Sequence, residues 1–112
     1  MKINKTQDHS KGKLFSVSLQ NTQVDFVVTR HCIERMRKWD ISEQALSETL
    51  LDPEEVVIGH RGRYIAHRRY GEHVVRAIYE YEDGSPIVIT TYFPYAKQYY
   101  KGGGHYEDKI FP

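Results

Sequence analysis

Past Asp52-Pro53 the chain becomes four β-branched and aromatic runs, "EVVIG", "RYIAHRRY", "HVVRAIYEY" and "PIVITTYF", and this repetition limits the possible folds more than any other feature. Val, Ile, Tyr, Phe and Thr suit a pleated, half-buried surface. Turn signals break the runs at Gly59 to Gly62, at Tyr70-Gly71 and at Asp83-Gly84. Connections this short join antiparallel neighbours, so the pattern predicts a four-stranded antiparallel meander.

Upstream, Phe15, Val17 and Leu19 alternate with Ser16 and Ser18, and Val24, Phe26 and Val28 resume the alternation beyond "QNTQ". Period two with a polar break predicts an N-terminal β-hairpin with one buried face. Residues 1–12, "MKINKTQDHSKG", are polar without a period and are expected to form a flexible arm.

Two helices fit between hairpin and meander. Thr29 can cap "RHCIERMRKW", and at 100° per residue Cys32, Met36 and Trp39 share an inward face with Ile33 beside it. His31, Arg35 and Lys38 run along the edge of that face. Asp40 ends the helix. Ser42 can cap a second one, with Ile41 and Leu46 placed as a hydrophobic staple and Ala45, Leu46, Thr49 and Leu50 as its buried stripe. Asp52-Pro53 stops it, because the residue before proline avoids the helical region. The expected fold class is therefore α+β: an N-terminal β-hairpin, two helices, then a four-stranded antiparallel sheet. With 112 residues, 39% of them hydrophobic, there is room for one domain over 13–112 and one core, burying about 65% of the unfolded surface.

The formal net charge of +1 gives no general field for nucleic acid, yet the charges are segregated. From His60 to Arg76, Arg61, Arg63, Arg68, Arg69 and Arg76 face the single acid Glu72, while acids gather at Glu43 to Glu55 and Glu80 to Asp83. The single cysteine, Cys32, excludes a disulfide within the chain. No window approaches the length of a membrane span and the N-terminus has no signal-like apolar run, so a cytoplasmic protein with no membrane partner is expected. His60, His67 and His73 show no metal-ligand spacing, and neither a metal nor another cofactor is expected. "KGGGHY" lacks the strand and the Lys-Ser/Thr of a phosphate loop and reads as a flexible hinge.

In this order, "RHCIERMRKWDIS", "ALSETLLDPEEVV", "GEHVVRAIYE" and "IVITTYF" resemble the motifs of a prokaryotic domain of unknown function close to BrnT- and RelE-type toxins. The resemblance runs from Val27 to Phe93. It implies a RelE-like α+β fold, in the superfamily of barnase, EndoU, the tRNA-cleaving colicins and RelE. It also implies metal-independent endoribonuclease activity, RNA including ribosome-bound mRNA as substrate, and a cognate antitoxin protein as partner. The chain departs from that pattern at Trp39 and Asp40, where arginine and glycine are usual.

Metal-free RNA cleavage needs a group to take the 2′-hydroxyl proton, one to protonate the leaving oxygen, and cations at phosphorus. His31 is the first candidate for proton transfer and His67 the second, with Arg35 and Arg76 holding phosphate. Arg61, Arg69, Thr91 and Tyr92 are candidates for substrate binding. Other readings stand beside these. His31 can simply satisfy a carbonyl near the helix start, Arg35 can lay its stem over the core and pair with Glu34 or Glu55, and the basic run can be a solvated strand face that blunts edge pairing. A non-catalytic protein- or RNA-binding module with the same fold is the alternative function.

Overall fold

The computed structural model describes residues 1–111. The chain forms strands β1 (Lys2–His9), β2 (Gly12–Leu19) and β3 (Thr22–Thr29), then helices α1 (Arg30–Trp39) and α2 (Glu43–Leu51). Strands β4 (Glu55–Ile58), β5 (Tyr64–Tyr70), β6 (His73–Glu82) and β7 (Ser85–Tyr92) follow, then one helical turn, α3 (Ala96–Tyr99).

Local signals act as their chemistry dictates. Thr29 Oγ1 accepts from the Cys32 amide and Ser42 Oγ from that of Ala45, each satisfying a donor that a helix start leaves open. Asp40 closes α1 in the left-handed region at φ 54°. Gln20 and Asn21, both at positive φ, make the two-residue turn between β2 and β3, and Asp83-Gly84 does the same between β6 and β7. Ile41, Leu46 and Leu50 are buried in the core with Cys32 and Met36.

The expected arrangement of hairpin, helices and separate four-stranded antiparallel sheet is wrong. There is one seven-stranded mixed sheet, in the order β1-β2-β3-β7-β6-β5-β4. The hairpin joins the meander through a parallel pairing of β3 with β7, Val27 opposite Ile87 and Val28 opposite Val88. A parallel neighbour requires a long crossover, and everything from α1 to β6 supplies it. Residues 2–9, read as an arm, are the outermost strand, paired from Lys2 opposite Ser18 to His9 opposite Gly12. Their polarity reflects an edge strand that is almost wholly exposed. Trp39, expected inward, is 39% exposed at the end of α1.

Alternation gives the sheet two distinct faces. One carries Phe15, Phe26, Val28, Ala66, Val75, Ala77 and Val88 and holds the core under α1 and α2. The other carries Glu55, His67, Arg76 and Tyr92. Beyond β7 the chain crosses this second face: the Val74 amide donates to Pro94 O and the Ala96 amide to Glu72 O. It then reaches the outer edge of β4, where the Val56 amide donates to His105 O and the Glu107 amide to Val56 O. No helix among the described residues is long and apolar enough to cross a membrane.

Candidate functional site

Register builds the site. Glu55 stands opposite His67, His67 opposite Arg76 and Arg76 opposite Tyr92, so four polar side chains form a row across β4, β5, β6 and β7. Directly opposed residues share a face and lie within reach of one another.

The first two are fully buried, each 0% exposed. Glu55 Oε2 lies 2.7 Å from His67 Nδ1, and His67 Nε2 lies 3.0 Å from Arg76 Nη1. A guanidinium can only donate, so Nε2 accepts and the ring proton sits on Nδ1, donating to Glu55. The carboxylate also accepts from the Lys101 amide at 2.9 Å and the Gly103 amide at 3.0 Å. This is what the glycine run does: Gly102, Gly103 and Gly104 all have positive φ, and the turn they make aims backbone donors at a buried carboxylate. The expected hinge is a clasp.

Burial opposes charge on both groups. At Glu55 the two amides and His67 outweigh it, and the carboxyl is held below the ordinary range. At His67 burial wins over the Glu55 hydrogen bond, with the Arg76 charge adding to it, so the ring is pushed below the ordinary histidine value. The row thus runs from an ionised carboxylate through a neutral imidazole to a cation. Burial lowers the pKa of Arg76 against the opposing effect of Tyr99 and Tyr92, but a guanidinium stays protonated throughout the working range.

That cation is the end of the row that meets solvent. Arg76 is half-buried and its guanidinium lies 4.2 Å from the centre of the Tyr99 ring. Among the described residues no carboxylate forms an ion pair with it; its one hydrogen-bonded side-chain partner is His67. Above it opens a cleft of about 550 Å³ lined by His60, Arg61, Arg63, Thr90 and Tyr92, over an apolar floor of Ile65 and Ile78. Thr90 Oγ1 is buried without a partner. A neighbouring hollow, again containing Arg76, is lined by His60, Gln98, Tyr99 and Lys101.

The structure brings together four of the eight candidates: His67, Arg76, Arg61 and Tyr92. His31 is exposed in the first turn of α1, and neither it nor Arg35 lines the cleft. Arg35 is half-buried with Nε unpartnered, and Glu55, suggested as its partner, is bound elsewhere. Arg69 is exposed beside the Tyr100 ring, 5.5 Å away. Thr91 is fully buried with Oγ1 donating to Arg76 O, so Thr90 takes the place expected for it. Glu55, His60, Arg63 and Thr90 were missed as site residues. The available signal was an acid at the head of "EVVI", a run otherwise suited to burial.

Among the described residues, no group of three or more His, Cys, Asp or Glu is placed to hold a metal ion. No curated protein and no solved structure matches the chain. The model of one family, described as a domain of unknown function, DUF4258, matches residues 28–93, which hold α1, α2, β4 to β7 and the whole Glu55-His67-Arg76-Tyr92 row. The chain belongs to the DUF4258 family.

Proposed function

We propose that the chain takes an RNA strand into the Arg76 cleft and cleaves it without metal, as the toxin of a toxin–antitoxin pair. The observation that carries the reading is the half-buried, carboxylate-free guanidinium at the cleft floor. A cation held away from water without a counter-charge is costly, and an anionic ligand is its natural complement. Phosphate suits the planar fork of arginine, and Arg61 and Lys101 supply further charge along a strand, while Arg63 is paired with Glu80 at 3.4 Å. The likeness of the motif order to BrnT- and RelE-type toxins supports the activity.

In the proposed reaction the 2′-hydroxyl gives up its proton and attacks phosphorus, the bond to the 5′-oxygen breaks, and that oxygen takes a proton. The products are a 2′,3′-cyclic phosphate and a 5′-hydroxyl. Arg76 holds the phosphate, and His60, the exposed histidine of the cleft, is the group for proton transfer. His67 acts as a positioning residue, because Glu55 and Arg76 occupy both its ring nitrogens. That same occupancy favours a second reading, a non-catalytic RNA-binding module.

Incubating the protein with mixed RNA in the presence of a chelator, and separately with ribosome-bound mRNA in magnesium buffer, tests the activity. Cyclic-phosphate ends that disappear in His60→Ala and Arg76→Ala, both folded by circular dichroism, are the expected result. Binding without cleavage, lost in Arg76→Ala and weakening with salt as counterion release requires, selects the module. Absence of both cleavage and binding overturns the cleft as an RNA site.

A further inference from the structure

Arg76 also borders a second space. This recess, of about 310 Å³, is walled by Trp39, Tyr92, Phe93, Pro94 and Tyr99 as well as by Arg76. Its volume lies at the lower end of small-molecule sites. The basic cleft and the aromatic recess share Arg76, Ile78 and Tyr92, so a cation stands where an apolar, ring-lined space meets a row of positive charge.

We infer that the recess is a nucleobase subsite, in which a base stacks against Trp39 while a phosphate of the same strand sits on Arg76 in the adjoining cleft. This rests on the reading of the cleft as an RNA site and adds what that site recognises: an unpaired base. The two halves fit together only for such a ligand. A bare polyanion gains nothing from aromatic walls, and an apolar side chain gains nothing from Arg61 and Arg76. Trp39 is 39% exposed although Cys32 and Met36, on the same helix, are buried. The Arg76 guanidinium already covers Tyr99 at 4.2 Å, whereas the cation over Trp39 is the exposed Lys38 ammonium at 5.3 Å, on a flexible stem that a base can displace, and Tyr92 offers a second ring. Stacking on an aromatic side chain accepts every base, so the subsite selects single-stranded RNA rather than a sequence.

Trp39 is the only tryptophan in the chain, so its emission reports directly on the recess. The full chain is titrated with a 2′-O-methyl RNA hexamer, which cannot be cleaved through its 2′-oxygen, and separately with inorganic polyphosphate. The expected result is quenching by the hexamer and none by polyphosphate. Trp39→Ala, followed by anisotropy of an end-labelled hexamer, should weaken RNA binding about tenfold, leave polyphosphate binding unchanged, and be largely rescued in Trp39→Phe. Arg76→Ala should weaken both ligands. RNA binding that needs Arg76 but neither quenches Trp39 nor responds to Trp39→Ala overturns the base subsite and leaves the RNA cleft standing. Hexamer binding that is absent, or indifferent to Arg76→Ala, overturns the cleft itself and the subsite with it.

Discussion

Glu55 and His67 each have their pKa lowered by the fold, and this fixes how stability responds to acid. A group whose folded pKa lies below its unfolded value binds more protons in the unfolded chain across the gap, so stability falls as pH drops through it. Both groups act in the same direction. The His67 contribution begins to fade near the ordinary histidine value of about 6.5, and that of Glu55 only in and below the ordinary carboxylate range. The urea midpoint should therefore be level from about pH 8 to 7 and decline below about 6.5, while His67→Gln should remove the upper part of that decline and keep the lower. A wild-type midpoint that does not change between pH 7 and 5 would contradict a neutral buried imidazole. His67 and Arg76 could be chosen from sequence because a basic residue inside a strand is conspicuous. Glu55 could not be joined to them, because alternation fixes which residues of one strand share a face but not which residue of the next strand stands opposite. His31 and Arg35 lie away from the cleft for a related reason: a helical stripe can be read locally, yet the surface it meets is set by how α1 docks.

At the scale of elements, most of what sequence could supply lay in bonds between residues close in the chain. Both helix caps, the Ile41–Leu46 staple, the Asp52-Pro53 stop and the turns of the meander follow from chemistry within a few residues. The parallel β3–β7 pairing and strand β1 do not, since the first is long-range and the second has no buried face to impose a period. The triple glycine lies between these cases. Its freedom was evident, but its use was not, because the carboxylate it clasps is 47 residues from Gly102 by their numbers. The clasp makes the three glycines unequal. At Gly102 an added Cβ meets nothing within 4 Å, so alanine adds only backbone strain at φ +107°. At Gly103, φ is +83° and the Cβ would lie 2.7 Å from Tyr100 Oη, in a residue whose amide holds Glu55. Gly102→Ala, whose φ lies farther from the left-handed region, and Gly103→Ala should each cost at least the roughly 1–2 kcal/mol of a left-handed alanine. Only Gly103→Ala should also weaken RNA binding, through the loosened Glu55-His67-Arg76 row. Equal losses of RNA binding in the two variants would separate the glycine turn from the site.

Across the whole molecule, the last segment passes around the β4 edge and ties the two faces of the sheet together. Lys101 and Gly103 hold Glu55 on the open face, Val56 pairs with His105 and Glu107 at the edge, and Asp108 ends against the core face. There Asp108 Oδ2 accepts from Tyr79 Oη at 2.6 Å and Tyr81 Oη at 2.7 Å, while burial together with this carboxylate pushes both phenols up. The wrap answers two needs at once. It pairs part of an edge strand that would otherwise present open backbone groups, and it supplies the amides that keep a buried carboxylate ionised. Both clasps lie outside the residues matched by the family model, although the row they support lies inside it. Asp108→Asn keeps the shape but replaces two charge-assisted bonds with neutral ones, and should cost about 1–3 kcal/mol. If the wrap opens as one unit, hydrogen exchange in that variant should quicken together at Val56, Gly103 and Glu107, while amides in the β2–β3 hairpin keep their protection. Exchange that quickens at Glu107 alone would mean that the two clasps act separately, and that the tail secures the edge without reaching the Arg76 site.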